Sequence, residues 1–163
     1  MSPFTSYMDA ALDEARAAAH RLLAGARSAA LGVLDPATGA PFVTRIALGL
    51  DPDFSPISLV SDLAAHTAAL RENPACSLLV GEPGPKGDPL THPRLTLQAR
   101  AEFVGRGTAS HQALRAHYLA GHPKAKLYVD FADFHFLRFA VDAAHLNAGF
   151  GKAYRLTPAD LTN

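Results

Sequence analysis

One cysteine among 163 residues leaves Cys76 without a partner for an internal disulfide and rules out a cysteine-rich zinc site. Charge is scarce too. Charged residues make up 18% of the chain, below the usual quarter or so, and 15 Lys plus Arg are balanced by 15 Asp plus Glu. Such a chain has no field with which to draw in nucleic acid or an anionic membrane surface, so neither is expected as a partner. No apolar run reaches the ~18 residues of a membrane span. Asp9, Asp13, Glu14 and Arg16 stand where a signal peptide would be apolar, which points to a cytoplasmic protein. Catalytic signatures are missing as well. There is no His-Glu-x-x-His pair, no nucleophile elbow, and no Walker lysine loop or Gly-x-Gly-x-x-Gly after a strand. His111, His117 and His122 would fall on different faces of their helix and loop, so no metal site is expected.

What the chain does hold is apolar residues, at 48%. That is too many for a disordered segment and, at this length, enough for one domain with a sizeable core, read here over 1–163. Few charges at zero net charge imply buried surface beyond a monomer core, and hence an oligomer. Local patterns place the elements. A helix is expected over 6–25, with Ser6 as its N-cap and Gly25 closing it. SAALGVLDPATGAPFVTRIALGL reads as two strands about the turn residues Asp35 to Gly39, and PISLVS as a third. Ala64 to Glu72 is a short helix stopped by Asn73-Pro74, and Ala75 to Val80 a fourth strand. GEPGPKGDPLTHP is a loop. Arg94 to Val104 alternates as a half-buried strand, expected to be the longest. Thr108 caps a helix running to Leu119, and Lys124 to Phe131 adds a helical turn or two. FHFLRFAVDAAHLNAGFG reads as two short strands with a turn near Asp142, and RLTPADL as a closing tail. Antiparallel neighbours interrupted by helices make an α+β chain around a closed or nearly closed barrel over about 28–156.

Two local features carry chemistry. Arg45 stands inside an otherwise apolar strand, where an unpaired charge is costly; it either points away from the core or pairs with a bound anion. Ser61-Asp62-Leu63-Ala64-Ala65-His66-Thr67 brings hydroxyls, a histidine and a helix N-terminus together, a combination that suits phosphate, although Ser61-Asp62 is also an ordinary cap. Cys76 lies inside an apolar strand and reads as a small core residue.

TRIALGL followed by SDLAAHTAALRENPACSLLVGEP resembles the FMN-binding split β-barrel family related to pyridoxamine 5'-phosphate oxidase. RLTLQARAEFVG, HPKAKLYVDFADFHFLRF and LNAGFGKAYRLTPADL resemble its haem-utilisation branch. The resemblance implies a six-stranded antiparallel Greek-key split barrel with flanking helices, forming a homodimer with ligand sites at the interface. It implies that Arg45 reaches the FMN phosphate and that Ile46 and Ala47 follow along the flavin ring. Ser61, with Asp62 beside it, matches the hydroxyl on the phosphate or ribityl chain, and His66 and Thr67 fall where relatives place a basic residue and its hydroxyl neighbour. Arg94 or Gln98 would contribute from the partner subunit. Two positions depart from the oxidase. Leu50 replaces a lysine, and His122, four residues after Tyr118, replaces the arginine that holds the substrate phosphate, so pyridoxamine phosphate oxidation is not expected.

The resemblance carries three functions. The first is an FMN-dependent oxidoreductase on an unidentified small molecule; the second is haem binding or degradation on the same barrel; the third is a non-catalytic flavin carrier, since no acid, base or nucleophile pair is evident. For haem, the usual tail ligand and Gly-Gly-Phe-Gly are replaced by an end at Asn163 and Ala148-Gly149-Phe150-Gly151. His145 is the first-choice iron ligand, with Asp133 or Asp142 as acceptor for its second nitrogen.

Overall fold

The computed structural model describes the backbone of residues 3–162 and the side chains of 10–162. Helix α1 (Pro3–Gly25) begins one turn before Ser6, whose side chain lies outside the described ones. Strands β1 (Ser28–Leu34), β2 (Pro41–Ala47), β3 (Gly49–Leu50) and β4 (Pro56–Ser61) lead into helix α2 (Ala65–Glu72). Then come β5 (Ala75–Val80), β6 (Arg94–Phe103), helix α3 (Ala109–Gly121), a 3-10 turn at Pro123–Leu127, β7 (Phe134–Asn147) and β8 (Ala153–Leu156).

The turn chemistry behaves as expected. The Asp35 carboxylate accepts from the Ala37 and Thr38 N–H groups at 2.8 and 3.2 Å, and Gly39 takes the positive φ of 68° that closes the β1–β2 hairpin. Thr108 caps α3 by accepting from His111 N.

Eight strands form one antiparallel sheet in the order β2-β1-β5-β6-β7-β4-β3, with β8 added beside β7, where six strands were expected. The first excess is a break. β2 and β3 are one extended run interrupted at Leu48, whose N–H turns to the Arg27 carbonyl at 2.9 Å. Because that run pairs with β1 at one end and β4 at the other, it closes the sheet on itself. The second excess, β8, is a four-residue strand inside what reads as a tail. The expected turn near Asp142 is absent. β7 runs unbroken for 14 residues and is the longest strand, against 10 for β6. Gln98 pairs with Ala143 and Ala99 with Val141, so Asp142 is the extra residue of a β-bulge, which bends the strand without ending it.

Burial follows strand alternation. Leu31, Leu78, Leu97 and Ala144 form one inward row across the barrel. Ala15, Ala19 and Leu23 of α1, and Ala69 and Leu70 of α2, join the same core. A second cluster joins Ile57, Leu59 and Phe136 to Leu114 and Tyr118 of α3, so α3 covers the outside of β4 and β7. β4 is therefore buried on both faces, whereas β1, β5 and β6 alternate. The outer face of β2, β1, β5 and β6 is left uncovered, with Leu34, Val43 and Leu79 exposed on it.

Two ion pairs pin the layers. Asp51 Oδ1 accepts from the Asp53 and Ser55 N–H groups, both at 2.9 Å, and Arg138 Nε donates to its Oδ2 at 2.9 Å. That turn holds Phe54 at φ 64°, a left-handed conformation uncommon for a bulky residue, with its ring stacked 4.2 Å from His20. Arg16 Nε donates to Asp160 Oδ1 at 2.7 Å, tying α1 to the last turn of the chain.

Candidate functional site

Continuing the β3–β4 register backwards, from Gly49 opposite Ile57 and Leu50 opposite Pro56, sets Ala47 opposite Leu59 and Arg45 opposite Ser61. Ser58 Oγ donates to the Ala47 carbonyl at 2.6 Å, and beyond that point the two strands part. Arg45 and Ala47, both exposed, and Ser61, half-buried, thus flank the cleft that opens where the two strands part. The Arg45 side chain is 77% exposed, and its nearest carboxylate, Glu82, lies 4.0 Å away. This is a cation held on a rigid strand with little to neutralise it, the first of the two possibilities its position offered.

The rest of the cleft is more committed. Ser61 Oγ donates to Asp133 Oδ2 at 2.9 Å and accepts from Leu63 N at 3.1 Å. Asp62 receives His135 Nε2 at 2.8 Å and Arg71 Nη2 at 2.9 Å; the His135 bond, then the Arg71 bond, hold its carboxyl below the usual range. Arg71 also lies 4.4 Å over the Phe103 ring. Thr67 is buried, with its hydroxyl on the Ser61 carbonyl at 2.7 Å. His66 is nearly buried, with Nδ1 3.3 Å from Thr44 Oγ1, and desolvation lowers its pKa towards the neutral form. Ile46 points inward into the core. Ala64, at the start of α2, offers no side chain to the first-turn N–H groups. Of the residues nominated from the sequence, Arg45, Ala47, Ser61 and Asp62 line the cleft, while Ile46, His66 and Thr67 support it from within.

Arg94 and Gln98 lie elsewhere. β1 and β5 intervene between β2 and β6, a span of about 14 Å at the usual strand spacing. Arg94 Nη1 donates to the Leu90 carbonyl at 3.0 Å. Gln98 Oε1 takes His145 Nε2 at 3.2 Å. An amide oxygen only accepts, so Nε2 donates in this bond, and Nδ1 is the ring nitrogen left for a ligand. This corrects the acceptor expected from the sequence: Asp133 is engaged by Ser61 and Asp142 sits on the bulge, while Gln98 faces His145 across the sheet.

His145 is exposed on the uncovered face, in a cross-strand row that runs Arg45, Ala30, Leu79, Thr96, His145, Arg155. Beside this row, Gly32, Leu34, Ser77, Gln98, Arg100 and Asp142 line an open groove of about 510 Å3.

The two positions that depart from the oxidase do come together. Leu50, Tyr118 and His122 line a cavity of about 500 Å3 with Arg27 and Gly49. The His122 ring stacks 4.3 Å from Tyr118, and both its nitrogens are buried without a hydrogen-bond partner among the described residues. An added Cβ on Gly49 would stand 3.3 Å from the Tyr118 ring, so the glycine leaves room for the stack. Burial pushes the Tyr118 hydroxyl up to about 12, which keeps it protonated. The Arg27 guanidinium is engaged by the Gly121 carbonyl.

Thr44, Arg71 and His135 were not nominated from the sequence, and Asp133 was nominated for another role. Asp133 and His135 meet partners 72 and 73 positions away and Thr44 one 22 away, whereas Arg71 reaches Asp62 nine positions back from the far end of α2.

A closed antiparallel barrel with one uncovered face and a cleft where two of its strands part defines a split-barrel protein. The chain belongs to the pyridoxamine 5'-phosphate oxidase family, whose model matches residues 15–148. It is 39% identical over 118 residues to the non-canonical heme oxygenase HOZ, chloroplastic, of Arabidopsis thaliana; the match covers 71% of this chain and 34% of that protein. Among solved structures it is similar to the protein Atu2129 of Agrobacterium tumefaciens, at 35% identity and TM-score 0.79, covering 92% of this chain and 60% of that one. It is also similar to a heme binding protein from Mycobacterium smegmatis, at 28% identity and TM-score 0.82, covering 91% and 60%. The chain thus spans about a third of the curated relative. Among the described residues, no helix is long and apolar enough to cross a membrane.

Proposed function

We propose that this chain is a cytoplasmic, homodimeric haem-binding protein that takes the macrocycle on its uncovered sheet face, with His145 as the iron ligand. The observation that carries this reading is His145 itself: exposed, with Nε2 held by Gln98 and Nδ1 free to ligate. Around it the face is built of small residues (Ala30, Gly32, Ser77, Ala143), which suit a flat ligand, and Arg155 stands beside His145 as a partner for a carboxylate. Likeness to a heme oxygenase and a heme binding protein supports the same reading. A second copy over this face would cover Leu34, Val43 and Leu79 and enclose the ligand between protomers. Bound haem would supply the iron chemistry; the chain supplies the ligand, the flat apolar wall and the cations.

A second reading is favoured by the exposed Arg45 and by Ser61 on the two strands that flank the cleft. This would be an FMN site with the phosphate at Arg45 and the flavin beside Ala47, acting as an oxidoreductase on a small molecule or as a carrier. The exposed guanidinium fits a phosphate. Ser61 fits less well, because its hydroxyl is engaged by Asp133 and Asp62 places a second carboxylate next to it. Neither reading favours pyridoxamine phosphate as substrate, since Leu50 and His122 stand in its cavity where the oxidase has the lysine and the arginine for a substrate phosphate. The test is an absorption spectrum of the purified protein after adding FMN and, separately, haemin. A sharp Soret band in wild type that is lost in His145→Ala supports haem; a bound-flavin band alone supports the second reading. Turnover with a reductant would separate an oxidoreductase from a carrier.

A further inference from the structure

The β2–β4 cleft holds an anion of its own. Asp133 sits just before β7, and its Oδ2 takes the proton of Ser61 Oγ at 2.9 Å. The hydroxyl's acceptor side is filled by Leu63 N at 3.1 Å, so Ser61 has no donor left for an incoming ligand. Nearby charges do not relieve this. Arg71 and His135 are both committed to Asp62, and Glu82 is the carboxylate nearest Arg45. A phosphate entering beside Arg45 would meet the Asp133 carboxylate across a shared hydroxyl, two like charges competing for one proton.

We propose that Asp133 is a specificity-determining residue of this cleft: it occupies the Ser61 hydroxyl and weakens the binding of ligands through a terminal phosphate. The proposal concerns the cleft of the second reading and is independent of haem at His145. Its mechanism has two separable parts. The charge repels a phosphate, and the hydrogen bond removes a donor the phosphate would use. Asp133→Asn removes the first and Asp133→Ala removes both. The Asp133 backbone carbonyl accepts from Asp62 N at 2.7 Å whatever the side chain, so the turn keeps its backbone anchor; thermal melting of each variant checks the fold.

The probes are FMN and riboflavin, which differ only by the phosphate, titrated by flavin fluorescence into the full chain and both variants. Wild type should bind FMN no tighter than riboflavin. Asp133→Asn should tighten FMN about tenfold, as expected for removing one partly screened like charge. Asp133→Ala should tighten it at least as much, with riboflavin changed less than about twofold in both. Flavin binding with an FMN affinity the same in all three proteins would overturn the proposal and leave the flavin reading standing. No binding of either flavin to any of the three would overturn both.

Discussion

Removing the Asp51 carboxylate should loosen the turn that carries β3 into β4, and the structure sets the size of the effect. Asp51 accepts two backbone N–H groups and the Arg138 Nε at 2.9 Å each, with 2% of its side chain exposed against 33% for Arg138. Breaking a buried pair costs about 3–5 kcal/mol, because the surviving charge is left unpaired. Arg138 can still reach water, which lowers the expectation for Asp51→Ala to about 2–4 kcal/mol. Asp51→Asn keeps an oxygen for the two amides and loses the charge-assisted bond, so about 1.5–3 kcal/mol is expected. For a chain of this size Asp51→Ala then lowers Tm by roughly 5–15 °C. Urea denaturation of wild type, Asp51→Ala, Arg138→Ala and the double variant gives the coupling directly, expected at about 1–3 kcal/mol. A coupling below about 0.5 kcal/mol would show the pair to be solvated, and the turn that holds Phe54 at its positive φ would then rest on its backbone bonds and the two amides on Asp51 Oδ1.

Other perturbations follow from single observations. Asp160 accepts both Thr157 groups and Arg16, which together draw its carboxyl down to about 2. The unfolded chain binds this proton first as pH falls, so the clasp's contribution is full above about pH 4 and is lost towards pH 2; Asp160→Asn should flatten the stability profile over that window, seen in acid titration by circular dichroism. Burial pushes the Cys76 thiol up to about 11, so a disulfide reagent at neutral pH should label it only after denaturation, and rapid labelling of the native protein would refute its place in the core. At Gly81, φ 99° and an added Cβ 2.5 Å from the Pro93 carbonyl oxygen mean that Gly81→Ala should cost about 2–4 kcal/mol in chemical denaturation; an unchanged midpoint would contradict the tight crossing there.

Local signals were legible in the sequence and register was not. Asp35 to Gly39, Thr108 and Asn73-Pro74 end or begin their elements through contacts within a few residues, and each appears where its chemistry puts it. Asp142 misleads for the same reason: a polar residue between two apolar runs looks like a turn, yet as a bulge it is absorbed by the partner strand β6. The break at Leu48 is invisible because apolar residues continue on both sides. At the candidate sites, Arg45 stands out as a charge inside an apolar strand. The Ser61–Asp133 and Gln98–His145 contacts join residues 72 and 47 positions apart, and only the pairing of β4, β6 and β7 brings them together.

The most direct measurement is haemin titration of the wild-type protein and of His145→Ala, followed by the Soret band, with Gln98→Leu as a third arm. A haem site at His145 requires a sharp, saturable band in wild type, its loss in His145→Ala, and roughly ten- to a hundredfold weaker binding in Gln98→Leu, where the imidazole loses the acceptor that holds its tautomer. An identical saturable band in wild type and His145→Ala, or no specific band in wild type, would contradict it.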